Sequence, residues 1–123
     1  METVAIRIPA SPAYVQVVRL VAAGLASRLK FTIDDIEDLK IAVDELCAYL
    51  TGAQGREGDI DIRFTVTDDR IEIAGTGILA PGQKIRTDLT EFSRMILDTV
   101  VDSATLDNTN GRPAFNLVKS KRP

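Results

Sequence analysis

Residues 59–66, Asp-Ile-Asp-Ile-Arg-Phe-Thr-Val, alternate polar and apolar side chains without a break. A period of two fits a strand with one wet face and one buried face, so the chain has to supply a second layer over Ile60, Ile62, Phe64 and Val66. The run Thr67-Asp68-Asp69-Arg70 has the composition of a tight turn, and Ile71 and Ile73 beyond it supply the hairpin partner. Val4, Ile6 and Ile8 repeat the alternation near the start, ending at Pro9.

The covering layer is also written in the chain. Ser11-Pro12 reads as an N-cap followed by proline in the first helical position, and Tyr14, Val18, Val21, Leu25 and Leu29 then recur at helical spacing. Thr32 caps a second helix with Asp34 and Asp35 in its first turn, where the macrodipole favours carboxylates. Its core stripe is Ile36, Leu39, Val43, Leu46 and Leu50, and the glycines at 52, 55 and 58 close it in a polar loop. The stretch from Gly75 to Asp88 reads as a long loop, with Gly75-Thr76-Gly77 as a turn. A third helix is expected from Asp88, paired with Glu91 in an acidic capping pattern, with Leu89, Phe92, Ile96 and Val100 facing inward. Strands around Ala104–Leu106 and Phe115–Leu117 flank an Asn110-Gly111 turn. The order β-α-α-β-β-α-β-β implies an α/β (α+β) two-layer sandwich: a mostly antiparallel sheet covered on one face by about three helices, with residues 1–123 as a single domain.

Composition removes several functions. With no histidine, imidazole bases, Ser-His and Cys-His nucleophiles and histidine-bearing zinc sites are excluded. A single cysteine permits no internal disulfide, and no apolar run is long enough to span a bilayer. The N-terminus lacks a basic-then-apolar export pattern, so a cytoplasmic protein is expected. A formal net charge of −3 argues against a nucleic-acid binder, and the closing Lys-Ser-Lys-Arg-Pro reads as a solvated tail. Asp59, Asp61, Asp68 and Asp69 lack the spacing of a calcium loop, and no metal site is expected. Gly75-Thr76-Gly77 lacks the third glycine and the helix that a dinucleotide fingerprint requires.

At about 100° per residue, Asp38, Glu45 and Tyr49 line one flank of the second helix, away from its apolar stripe. By pattern alone such carboxylates are a solvated face, and Cys47 is a small core residue. The run Ile-Glu-Asp-Leu-Lys-Ile-Ala-Val-Asp-Glu-Leu-Cys-Ala-Tyr-Leu, residues 36–50, changes that weighting. It resembles the N-box helix of the RsbW/SpoIIAB-type anti-sigma factors, serine kinases of the Bergerat ATP-binding (histidine-kinase-like ATPase) fold. Glu37, Asp38, Ala42, Val43, Glu45 and Cys47 stand at matching places, and the order of elements along nearly the whole chain is similar.

The resemblance implies that Glu45 would be the general base drawing a proton from a substrate serine as it attacks the γ-phosphate of ATP. It also implies an asparagine ligand for Mg²⁺ one turn later, where this chain has Tyr49. A second box should place an aspartate on adenine, yet Gly75 and Gly77 are kept while Ile73 stands at the aspartate. The third, glycine-rich box falls where the chain reads Thr-Glu-Phe-Ser-Arg-Met, without glycine. Lys84 and Arg86 lie in the loop that would form an ATP lid. A degenerate nucleotide site built from Glu45, Tyr49, Gly75, Gly77 and Lys84 is therefore expected, without working ATP or Mg²⁺ chemistry. The implied function is an anti-sigma factor that sequesters a stress- or sporulation-type sigma factor, is released by a STAS-domain anti-anti-sigma antagonist, and forms a homodimer. An active serine kinase phosphorylating that antagonist is the alternative.

Overall fold

The computed structural model describes residues 1–122. Five antiparallel strands form one sheet in the order β1-β2-β3-β5-β4: β1 Glu2–Pro9, β2 Gly58–Val66, β3 Arg70–Leu79, β4 Ser103–Thr109 and β5 Arg112–Ser120. Helices α1 (Val15–Arg28), α2 (Ile33–Thr51) and α3 (Glu91–Val100) cover one face, the expected two-layer α+β sandwich. The register follows from the alternation. Ile62 stands opposite Ile6 on one side and Gly75 on the other, so one face of the sheet gathers Ile8, Ile60, Ile62, Phe64, Ile71, Ile73, Phe115 and Leu117, all buried. No helix among the described residues is long and apolar enough to cross a membrane.

Thr32 caps α2 through its side chain, which accepts from the Asp35 amide at 3.1 Å. Gly52, at φ 65°, ends the helix in a conformation that costs a Cβ-bearing residue strain. α1 differs in detail from its sequence pattern. Proline at 12 starts a short 3₁₀ turn rather than the helix itself, and Ser11 makes no side-chain cap bond. Tyr14 is exposed, and the small residues Ala22 and Ala26 join Val18 at the buried surface.

Three other expectations are corrected. First, Gly75 and Gly77 are not in a turn: β3 runs on to Leu79, and Gly75 is paired with both Ile62 and Phe115. A Cβ on Gly75 would lie 2.3 Å from Phe115 Cε2, so the glycine makes room for a ring across the strand pair. Second, α3 begins three residues later than expected and is rotated. Its N-cap is Thr90, whose hydroxyl accepts from the Ser93 amide, and Asp88 instead pairs with Arg86 at 3.1 Å. The rotation buries Ser93, Leu97 and Val100 and leaves Phe92 70% exposed. Third, the basic end of the chain is only in part a solvated tail: Lys121 and Arg122 are exposed beyond the last strand. Lys119 and Ser120 belong to β5, and Lys119 is buried; Pro123 lies outside the described residues.

The capping assignment has a direct consequence. Thr90→Ala is expected to cost about 1 kcal/mol in urea unfolding, because the α3 amides lose their acceptor. Asp88→Ala is expected to stay within about 0.5 kcal/mol of the parent, as an exposed substitution does. The reverse order would return the cap to Asp88.

Candidate functional site

α2 and α3 lie side by side over the sheet, and their facing flanks carry a connected set of polar side chains. Glu45 and Tyr49, one turn apart on α2, are each half-buried against the first turn of α3. The Ser93 hydroxyl donates to Glu45 Oε2 at 2.7 Å. The Tyr49 hydroxyl donates to Ser93 Oγ at 2.7 Å and accepts from the Thr90 amide at 3.0 Å. Thr90 Oγ1 closes the set, lying 3.0 Å from Ser93 Oγ. Every hydroxyl in this cluster is therefore engaged, and the hydrogen bonds run in one direction toward the carboxylate of Glu45. Burial works to raise the Tyr49 phenol, but its hydrogen bonds with Ser93 and Thr90 outweigh that and hold it below its ordinary value.

Beside the cluster is a shallow groove of about 310 Å³ lined by Glu45, Ala48, Tyr49, Thr90 and Ser93. The remaining site residues expected from sequence are elsewhere. Gly75 and Gly77 are strand residues packed against Phe115 and Pro113. Lys84 is exposed, and its carbonyl accepts weakly from Arg56 Nη1 at 3.4 Å. Asp38 leaves the flank for a different cluster, 3.7 Å from Lys119 Nζ. Cys47 is fully buried, and burial pushes its thiol up to about 12, which fits a core residue with no nucleophilic use. Among the described residues, no three His, Cys, Asp or Glu side chains are grouped to hold a metal ion.

Sequence reasoning did not find Thr90 and Ser93. Their signal was a threonine three residues before a serine at a helix start, a capping pattern outweighed by the more acidic Asp88–Glu91 pair.

The family of histidine kinase-like ATPase domains matches residues 8–115, a span that runs from the end of β1 through all three helices, β2, β3 and β4 into the start of β5. The chain belongs to that family. Among individual proteins, the serine-protein kinase RsbW of Bacillus pumilus is 41% identical over 78 residues, covering 59% of this chain and 48% of that protein. RsbW of Bacillus subtilis strain 168 is 44% identical over 70 residues, covering 54% and 44%. The chain thus spans about half the length of the curated relatives it matches. The solved structure of the RsbU and RsbW domains of Rv1364c from Mycobacterium tuberculosis superposes on all of this chain and 33% of that one, with a TM-score of 0.70 at 16% identity. That likeness establishes the fold. In this histidine kinase-like ATPase domain the α2–α3 contact sets Glu45 against the hydroxyl groups of Tyr49, Thr90 and Ser93.

Proposed function

We propose that this histidine kinase-like ATPase domain works as an anti-sigma factor by binding alone, with its nucleotide site given over to a contact between two helices. It would sequester an alternative sigma factor, be released by a STAS-domain antagonist, and act as a homodimer. The observation that carries the reading is the Tyr49–Ser93–Glu45 chain of hydrogen bonds. A general base needs its free carboxylate oxygens turned toward the incoming hydroxyl, and Glu45 Oε2 is already occupied by Ser93. Mg²⁺ favours compact carbonyl or carboxylate oxygens in octahedral array, whereas position 49 offers a phenol committed to α3. These residues do not fit a magnesium–nucleotide complex.

Opening the site would break two neutral hydrogen bonds at roughly 1 kcal/mol each and one to a carboxylate at roughly 2 kcal/mol. A total of about 4 kcal/mol corresponds to roughly three decades in nucleotide affinity. Competition between protein partners then becomes the simpler means of control, and it needs no phosphate donor.

The test is a titration with Mg-ATP followed by amide NMR, so that binding is located as well as detected. The amides of Glu45, Tyr49, Thr90 and Ser93 are expected to stay in place at millimolar nucleotide, while a purified alternative sigma factor binds saturably with or without ATP. The relatives are serine-protein kinases by name, so the competing outcome is definite. Transfer of ³²P from ATP to a STAS protein, abolished by Glu45→Ala, would replace this reading with the kinase.

A further inference from the structure

The solvent side of the α2–α3 pair carries large apolar side chains that no described part of the chain covers. The two helices run antiparallel. Tyr49 and Glu45, in the second half of α2, meet the first turn of α3, whereas Lys119 ties the Val100 carbonyl at the end of α3 to Asp38, early in α2. Ile41, one turn before Glu45, therefore stands abreast of the α3 turn that holds Ile96. On α3, Ser93 turns inward and Arg94 reaches the Ala104 carbonyl of β4 at 3.0 Å. At about 100° per residue, that leaves Phe92 and Met95 on the outer rim of the groove. Met95 is 64% exposed and Ile41 44%, and Ala48 between the helices is exposed as well. A shallow groove is thus bordered by apolar side chains on both helices.

The charge of this surface has one sign. The cations near it are engaged: Lys40 pairs with Glu37, Arg19 reaches from α1 to Asp44, and Arg94 is held by β4. Asp34, Glu45, Glu91 and Asp98 have no ion-pair partner among the described residues. Glu91 lies one turn before Met95 and Asp98 one turn after it, while Asp34 lies two turns before Ile41 on the same side of α2. Free carboxylates therefore stand along the ends of the apolar row.

We propose that the outer ridge of α2 and α3 docks a basic amphipathic helix of a partner protein. Ile41, Phe92 and Met95 receive its apolar stripe, and Asp34, Glu91 and Asp98 face the lysines or arginines beside that stripe. A helix laid along a groove between two others presents apolar anchors one turn apart, the spacing at which these side chains are offered. The unpaired carboxylates select a cationic helix over an acidic one. They also disfavour a second copy of this chain, whose own ridge would bring like charges together. The surface does not depend on which protein is sequestered, and the test below can fail while a sigma factor still binds elsewhere.

The experiment is an amide NMR titration of the whole chain with a synthetic peptide of leucine and lysine in helical order, about 14 residues or roughly four turns long. Parallel probes are the same design with glutamate in place of lysine, and the same composition in strict alternation. Saturable shifts are expected at Ile41, Glu45, Phe92 and Met95 with the helical lysine peptide alone. Phe92→Ser combined with Met95→Ser should weaken binding at least about tenfold, since it removes the central apolar anchors. Both side chains are exposed, so the urea midpoint of that variant should stay near the parent's. Glu91→Gln combined with Asp98→Asn should weaken binding less and flatten its dependence on salt. Absence of saturation, shifts spread over acidic residues away from the ridge, or equal binding by the double serine variant overturns the surface. Equal binding of the glutamate peptide overturns the charge assignment, and equal binding of the alternating peptide overturns the helix. Self-association abolished by the double serine variant would give the ridge to a second copy and overturn the proposal.

Discussion

Lys119→Ala is expected to lower the unfolding free energy by about 3–5 kcal/mol, the largest effect of any single substitution considered for this chain. Lys119 is 5% exposed and Asp35 1%. The Lys119 ammonium donates to the Val100 carbonyl at 2.7 Å, at the end of α3, and lies 3.5 Å from Asp35 Oδ1 and 3.7 Å from Asp38 Oδ2 on α2. Arg122 approaches Asp35 from the solvent side at 2.9 Å. Neither buried oxygen of Asp35 has a well-directed hydrogen bond, so charge alone holds this carboxylate, and removal of the ammonium leaves it only the largely exposed Arg122 in a medium that solvates it poorly. Urea unfolding should show a lower midpoint at an unchanged slope. Asp35→Asn introduced into Lys119→Met should recover most of the loss, because the pair then leaves no buried charge behind. A single-variant cost below about 1 kcal/mol would mean that water reaches the cluster and that it behaves as a surface pair.

Lys119 also marks where the sequence stopped being informative. A lysine two residues past the apolar Leu117, in a basic C-terminal run, reads as a solvated tail. Only the juxtaposition with Asp35 and Asp38, on a helix far away in the chain, makes its burial tolerable. The elements that could be read in advance are those whose pattern is local. Residues 59–66 alternate because their own two faces meet different surroundings, and Thr32 caps α2 through an amide three residues away. The helix α3 was legible, but part of its inward face was not, for the opposite reason. Leu89, Phe92, Ile96 and Val100 are spaced as helically as Ser93, Leu97 and Val100, and apolarity favours the first set. The second set wins because Ser93 satisfies Tyr49 and Glu45, which are 44 and 48 residues away in the chain. The same separation explains the candidate site. Glu45 and Tyr49 were legible as neighbours on one helix, whereas the groups that occupy them were not, since no local pattern records which hydroxyl a glutamate will meet.

Gly75 leads to the second large effect and bears on the same question. Two glycines in a chain that resembles an ATP-binding family invite assignment to a nucleotide turn, yet Gly75 lies in mid-strand between Ile62 and Phe115. Alanine there would bring a methyl group to 2.3 Å from Cε2 and 2.5 Å from Cζ of the Phe115 ring, which is itself 2% exposed and has little space to withdraw. Gly75→Ala is therefore expected to destabilise by about 1–3 kcal/mol through overpacking. Phe115→Leu alone should also destabilise, by removing ring atoms from the core. Combined, the two should be less harmful than their sum, because the methyl group enters the space that the ring vacates; a double-mutant cycle in urea reads that coupling as a free energy. Additive losses would show that Gly75 is required for something other than room for Phe115. The expected coupling would make it a packing glycine, whose place in the chain is set by the Phe115 ring rather than by a turn.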